Sequence, residues 1–382
     1  MTPDIIIVGA GIVGSSIAHL AAFAGKNVLI IDRRSTIAGN LYDEKINGIL
    51  VQKYGPHCFH TNDEQVYNFI TRFGDWTHYE LRCQVFMNDK STPSPFNFQT
   101  IDDYFTIEQA SEIKSHINEF FNGALSATIL DLLNCEDVII RNFAQFLYKN
   151  DYEPYTCKQW NISPLDIDKS ILARVPVVFS YENRYFNDKY QILPKNGYTT
   201  IINAMLSHRN ITKLLNTDAL SLIRLTADHA INFNGIEQHI PIIYTGPIDE
   251  LFGYKFGALP YRSLHFNYKV IDKASFQDSA VIAYPQKLGY TRITEYTKLP
   301  KQNVGNRTII AVEYPEDYSP SSGNEPYYPI LYKDSVSCHE QYKSEASLYH
   351  DLHLCGRLAD YKYYNMDQAL RRALDLWAGI NL

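Results

Sequence analysis

The chain has 382 residues, of which 45% are hydrophobic and 20% charged, with a formal net charge of -7 at pH 7. That length allows two or three folding units with a real core, and the acidic balance argues against nucleic-acid binding as the main activity. With no apolar run of about 18 residues and no signal-peptide layout at the N-terminus, the expectation is a cytoplasmic protein that makes no use of a membrane.

The first predicted element is a strand, Ile5 to Val8, a run of β-branched residues suited to burial on both faces. Gly9, Gly11 and Gly14 follow as G-x-G-x-x-G, and Val13, Ile17, Leu20, Ala21 and Ala24 recur at helical spacing. Gly25 ends that helix, and Val28 to Ile31 forms a second strand that runs into Asp32. Gly9 permits a tight turn, Gly11 lets backbone approach a pyrophosphate, and Gly14 lets helix and strand pack closely. The helix N-terminus offers free N–H groups to phosphate, and Asp32 can accept hydrogen bonds from a ribose diol. The stretch therefore reads as a dinucleotide site. Arg33-Arg34 and the small-residue turn Ala38-Gly39-Asn40 come next, where the chain would pass close to a cofactor.

Further along, Gln52 to Thr61 carries His57 and His60 around a Gly-Pro turn. No third ligand is evident, and the six cysteines show no metal-ligand spacing, so no metal is expected. Gln84 to Met87, followed by Asn88-Asp89-Lys90, reads as a strand entering a hairpin. Thr106 and Gln109 form a capping-box pattern, and helical periodicity continues through Ile113, Ile117 and Phe121, then around Thr128–Leu133 and Asp137–Lys149. Residues 100–165 are thus predicted to be a helical insertion. Lys158 to Arg174 is polar and mixed, and reads as a loop or a loop with a short helix. Val175 to Tyr181 returns to strand character, Thr200 to Leu206 is a short helix, and Ile240 to Tyr244 is a strand running into Thr245-Gly246-Pro247. Leu264–Val270, Val281–Tyr284, Tyr290–Tyr296 and Thr308–Tyr314 predict an antiparallel sheet. Asn365 is a good N-cap for a last helix with Met366, Ala369, Leu370, Ala373, Leu376 and Trp377 on one face. The 29 tyrosines fit either ordinary aromatic packing or a tyrosine-rich cleft.

Together these segments resemble the bacterial UDP-galactopyranose mutases, a family of flavin-dependent nucleotide-sugar mutases. The resemblance rests on GAGIVG with its distal acid, AGN, KYGPHCFHT, YTCKQW, ARVP, YFNDKYQ, YTGPID, FGALPYRSL, YTRITE, NEPYYP and GRLADYKYYNM, in that order nearly end to end. It implies an α/β fold: a Rossmann-like FAD-binding domain (1–80, 190–255 and 330–382), the helical insertion (100–165), and an antiparallel sheet domain (81–99, 175–189 and 256–329). It also implies a ring contraction of a UDP-hexopyranose to its furanose form, without net redox change. Reduced FAD would act through N5 at the anomeric carbon, forming a flavin–sugar adduct, in the service of cell-surface glycan synthesis.

The resemblance also assigns residues. Gly9, Gly11, Val13, Gly14, Asp32, Arg33, Gly39, Asn40, His57, Arg262, Gly356, Arg357 and Met366 would hold FAD. Tyr155 and Trp160 are similar to the family's uridine-stacking pair, and Arg174 and Arg292 to its diphosphate arginines, with a loop carrying Arg174 inward over substrate. Tyr185, Glu325, Tyr327, Tyr363 and Asn365 would complete the substrate site, and Arg174, Arg292 and His57 would serve catalysis. Asn365 stands where the family usually has an aspartate, which removes a negative charge near the sugar; Ala38 for a family glycine is a mild change, and the segment Asn150-Asp151-Tyr152-Glu153-Pro154, bordering the base site, is atypical. A mutase for UDP-N-acetylgalactosamine or a dTDP-deoxysugar is therefore a variant reading, and an amine-oxidase-like FAD oxidoreductase a second class. The expected partners are an NDP-sugar substrate, an external reductant such as NAD(P)H, and a second copy in a homodimer.

Overall fold

The computed structural model describes residues 2–166, 172–173 and 175–380. Its centre is a five-stranded parallel sheet in the order Ile211–Leu214, Val28–Ile31, Ile5–Val8, Ile242–Tyr244, Leu352–Leu354. Ile5–Val8 sits in the middle, so the chain leaves it first to one side and later to the other. In an open parallel sheet the crevice outside the carboxyl ends at such a switch point is where ligands bind.

The strand's period of two divides its side chains between two layers. Ile5 and Ile7 join a core with Ile17, Ala18, Ala21, Leu370 and Ala373 of the first and last helices. Ile6 faces the opposite layer with Ile31, Ile242, Tyr244 and Tyr342. Each of these isoleucines is fully buried, which contributes roughly 1.5–3 kcal/mol per side chain relative to exposure. The first helix, Ile12–Phe23, and the last helix, Met366–Gly379, pack directly against each other. The two ends of the chain thus form one face of the cleft.

The second large sheet has seven strands: Tyr328–Pro329, Tyr261–Ile271, Thr308–Asp317, Arg292–Glu295, Val281–Ala283, Cys83–Met87 and Lys90–Ser94. All neighbours are antiparallel except Val281–Ala283 with Cys83–Met87, which run parallel. The hairpin at Asn88-Asp89 has both residues at positive φ, 48° and 61°, the geometry that matches strand twist in a two-residue turn.

The helical unit comprises Phe98–Tyr104, Ile107–Phe121, Ile129–Leu133, Val138–Leu147 and Glu153–Trp160. Its own core contains Ile113, Ile117, Ile140, Phe143 and Leu147. The expected capping box is present: Thr106 Oγ1 accepts the Gln109 N–H at 3.3 Å, and Gln109 Oε1 accepts the Thr106 N–H at 3.2 Å. A π-helical turn, Tyr148–Tyr152, joins Val138–Leu147 to Glu153–Trp160 and so sets the direction of the latter.

Several elements differ from expectation. Of Val175 to Tyr181 only Val177–Val178 is a strand, paired with Ser126–Ala127. Lys158 to Trp160 closes a helix rather than opening a loop. The helix Lys333–Ala346 was not anticipated because most of it is polar. Its inward face relies on Ser335, His339, Tyr342 and Ala346, which carry little hydrophobic periodicity.

Candidate functional site

At the carboxyl end of Ile5–Val8 lies an open cleft of roughly 1300 Å³, the solvent at its mouth included. Its floor is made of backbone that tolerates no side chains. A Cβ on Gly9 would lie 2.0 Å from Thr245 Oγ1, one on Gly14 2.0 Å from Gly9 O, and one on Gly39 3.1 Å from Gly11 Cα. Gly9 is also at φ +104°, open only to glycine at low cost. This cradle fits a pyrophosphate approaching the N-terminus of Ile12–Phe23. Ala38 adopts φ +80° with its side chain fully buried, which is the conformation that a glycine would take without strain.

Asp32 accepts the Ala10 N–H at 2.7 Å on one carboxylate oxygen and the Arg34 N–H at 2.8 Å on the other. A carboxylate has about four acceptor positions, so capacity for a ribose diol remains. Gly9, Gly11, Val13, Gly14, Asp32, Arg33, Gly39, Asn40, His57, Arg357 and Met366 all line this cleft. Gly356, at φ +108°, sits behind it, where a Cβ would be 3.6 Å from Val13.

Glu325, Tyr327 and Asn365 line the same cleft. Glu325 pairs there with Arg34 at 2.8 Å and with Arg33 at 3.3 Å. Asn365 starts the last helix, with its N–H donating to Gln368 Oε1 at 3.0 Å. Arg262, like Gly356, is absent from the cleft lining. It is buried, forms an ion pair with Asp317, and donates from Nε to Gln159 O at 3.0 Å. Gln159 O is a terminal carbonyl of the helix Glu153–Trp160, an acceptor without an intrahelical partner that favours a cation. Arg262 thus ties that helix to the large sheet.

His57 is held from several sides. Its N–H donates to Gln52 Oε1 at 2.5 Å, its carbonyl accepts Gln52 Nε2 at 3.2 Å and the Tyr198 hydroxyl at 3.3 Å. Nδ1 lies 2.9 Å from Gly55 O. A carbonyl only accepts, so Nδ1 carries the proton and Nε2 is left as the ring acceptor. Burial, followed by the positive charges of Arg357 and Arg292, pushes the imidazole down to about 4, so the ring is neutral at pH 7.

A second group of side chains surrounds Arg357. Its guanidinium lies over the Tyr363 ring at 5.2 Å and the Tyr328 ring at 5.6 Å, and donates to Tyr327 O and Tyr364 O. Tyr328 and Tyr363 stack at 5.6 Å with planes 21° apart, and Trp160 lies 6.4 Å from Tyr328. Arg292 is anchored by a bidentate pair to Glu313, and that carboxylate together with Tyr155 and Tyr328 holds the guanidinium well above its ordinary value despite burial. Tyr155 is pushed up by burial, with Arg292 opposing and Glu313 and Tyr185 adding to the rise. Trp160, Tyr155, Arg292, Arg357, Tyr363 and Tyr185 are therefore brought to one region. Arg174, and part of the loop expected to carry it, fall outside the described residues.

Sequence reasoning missed Tyr328 and Glu313. Tyr327 and Tyr328 are adjacent in an extended segment, where neighbours point to opposite faces. Tyr327 is 4% exposed and packs near Tyr54 and Phe266, whereas Tyr328 meets Trp160, Tyr363 and Arg357. The tyrosine pair itself was the available signal. Glu313 becomes visible only when the strand register places it opposite Arg292.

A glycine-cradled Rossmann-like cleft that opens toward an antiparallel sheet bearing arginines and aromatics defines a dinucleotide-dependent enzyme with a second ligand beside the cofactor. A family model described as UDP-galactopyranose mutase matches residues 150–363, and one described as an NAD(P)-binding Rossmann-like domain matches residues 7–73. The UDP-galactopyranose mutase of Mycoplasma genitalium is 36% identical over 374 residues, covering 96% of this chain and 92% of that protein. A dTDP-fucopyranose mutase of Escherichia coli is 31% identical over 374 residues, covering 97% and 96%. The crystal structure of a reduced UDP-galactopyranose mutase superposes with a TM-score of 0.71 at 17% identity, covering 98% of this chain and 95% of that one. A putative protoporphyrinogen oxidase from Exiguobacterium shares the fold at a TM-score of 0.62 and 12% identity, covering 98% and 97%. The chain belongs to the UDP-galactopyranose mutase family: it is an FAD-dependent isomerase. Among the described residues no helix is long and apolar enough to cross a membrane, and no group of three or more His, Cys, Asp or Glu side chains is placed to hold a metal.

Proposed function

We propose that the protein interconverts a UDP-hexopyranose, UDP-galactopyranose or a close relative, and its furanose form. The observation that carries this reading is the convergence of Arg292, Arg357, Tyr328, Tyr363, Trp160 and Tyr155 beside the glycine-cradled cleft. Reduced FAD, when bound, supplies the nucleophilic N5; the remaining tasks belong to the chain.

Gly9, Gly11, Gly14 and Gly39 accept the FAD pyrophosphate, and Asp32 the adenosine ribose. Met366, at the start of the last helix and lining the same cleft, offers its backbone N–H to the cofactor. Trp160 and Tyr155 form the platform for the base, a stack worth about 1–3 kcal/mol. Arg292 commits Nε and Nη2 to Glu313 and offers Nη1 to the diphosphate, while Arg174 contributes a second fork. Arg357, fixed beside the stacked Tyr328 and Tyr363 rings, adds positive charge where UDP must leave and return, and a preorganised cation needs no reorganisation at that moment. His57, neutral at pH 7, offers Nε2 as an acceptor without adding charge. Tyr328, Tyr363 and Tyr185 add hydroxyl groups for the diphosphate and sugar.

A dTDP-deoxysugar is the second reading. It is favoured by the dTDP-fucopyranose mutase relative and by Asn365, which lines the cleft without a negative charge. The physiological setting we propose is cytoplasmic nucleotide-sugar metabolism feeding cell-surface glycans, with an external reductant such as NAD(P)H and a homodimeric assembly. Incubating the reduced enzyme with UDP-galactopyranose and with dTDP-fucopyranose, and separating pyranose from furanose, tests the reading. Furanose from either supports it, and the faster of the two identifies the substrate.

A further inference from the structure

Four charged side chains, Arg33, Arg34, Glu250 and Glu325, bridge the cofactor wall and the sheet side of the cleft, and none of them takes part in the steps proposed above. Arg34 Nε donates to Glu325 Oε1 at 3.2 Å and its Nη2 lies 2.8 Å from Oε2, a two-point pair. Arg33 spans Glu325 and Glu250, each at 3.3 Å, and the Tyr318 hydroxyl donates to Glu250 at 2.8 Å. Arg33 and Arg34 directly follow Asp32, the expected ribose acceptor. Glu325 is two residues before Tyr327 and three before Tyr328. The segment between is short and fixed: Tyr327 N–H donates to Arg262 O at 2.9 Å, and Tyr328 pairs with Arg262 across strands.

We propose that Glu325 is a positioning residue that couples the two ligand sites: held by Arg34 and Arg33, it fixes the Glu325–Pro329 segment against the FAD wall, slowing FAD release and presenting Tyr328 to the nucleotide sugar.

The surroundings are consistent with a single seated geometry. Arg34 also donates to Asn40 Oδ1 at 2.9 Å and lies 4.4 Å over the Tyr54 ring. Its Nη1 is buried and finds no partner among the described residues, so one donor of a cleft-lining arginine is left for a ligand. Arg34, followed by Arg33, holds Glu325 below its ordinary value against the opposing effect of burial, so the carboxylate is charged at neutral pH. Losing that charge would leave the half-buried Arg34 without its two-point partner, and the segment would lose its tether to the wall.

This inference rests on the FAD-cleft reading, and the test separates the two. Holoenzyme with Glu325→Gln is diluted, and FAD release is followed by the rise in flavin fluorescence; KM and kcat for UDP-galactose are measured alongside. The expected result is FAD release about tenfold faster, within the range of coupling between contacting residues, and a KM that rises more than kcat falls. Glu325→Asp, which keeps the charge, should recover part of both effects, and Arg33→Met, which leaves the Arg34 pair, should show a smaller change. FAD release and KM equal to wild type in Glu325→Gln would overturn the coupling, as would faster release with an unchanged KM. A lowered melting temperature without either change would make Glu325 merely structural and overturn it too. Wild-type protein that retains no FAD would instead refute the cofactor reading itself.

Discussion

Arg292 and Glu313 stand directly opposite each other on adjacent antiparallel strands and share two hydrogen bonds, Nε to Oε1 at 3.0 Å and Nη2 to Oε2 at 2.6 Å. Thr291 Oγ1 donates to the same carboxylate at 3.0 Å, and the Glu313 side chain is 2% exposed. The pair fixes the Arg292 side chain while keeping the strand interior neutral. Arg292→Met would leave Glu313 buried without its counter-charge, a loss of about 3 kcal/mol for a broken buried pair. Arg292→Lys keeps the charge but not the planar fork. It should cost less in stability while still losing most turnover. Urea denaturation and steady-state kinetics on both variants, with flavin content measured, check this; full activity in Arg292→Lys would contradict the fork argument.

Gly14→Ala should empty the cofactor cleft. The added Cβ meets Gly9 O at 2.0 Å, a backbone atom of the phosphate turn that cannot step aside. Overpacking of this kind costs roughly 1–3 kcal/mol, and the displaced turn should lower FAD affinity by more than about tenfold, at 1.4 kcal/mol per decade. Purified variant protein lacking the yellow flavin spectrum, yet cooperatively folded, is the expected outcome.

Trp160→Ala should weaken UDP binding by about 1–3 kcal/mol, the range for one base–aromatic stack, and leave bound FAD unchanged. Tyr328→Phe should raise KM for the nucleotide sugar. Tyr327→Phe, on the opposite face of the strand, should affect FAD retention more than KM. Equal effects of the two tyrosine changes on KM would contradict the assignment of faces.

Stability should fall with acid between about pH 6.5 and pH 4. His57 titrates near 4 in the folded protein, driven down by burial and then by Arg357 and Arg292, and near 6.5 when unfolded. Within that window the unfolded state binds a proton that the native state does not. Lowering pH therefore favours unfolding, and the contribution is fully present only above the unfolded value. His57→Gln should flatten that part of the pH–stability curve, measured by urea unfolding at each pH.

Much of the fold was legible because its signals are local. The glycine spacing, the apolar strand before it and the acid after it need only the period of a strand and of a helix. The capping box at Thr106 and the apolar face of the last helix are equally local. What the residues alone left open is set by long-range register. Whether Tyr327 or Tyr328 faces Trp160 depends on which side of the strand packs on Tyr54. That Arg262 reaches the end of the Glu153–Trp160 helix, and not the cleft, depends on where that helix ends. The tie of Glu325 to Arg33 and Arg34 spans nearly three hundred positions of chain. The polar helix Lys333–Ala346 had no periodic signal because a histidine, a serine and a tyrosine do its packing.

The proposed activity is isomerisation at a reduced flavin without net redox change. The direct measurement is anaerobic incubation of flavin-reduced enzyme with UDP-galactopyranose and dTDP-fucopyranose, with furanose product and consumed reductant counted together. Many furanose molecules should form per flavin reduced, from at least one of the two substrates. Absence of furanose from both, or one reductant consumed for each product formed, would contradict it.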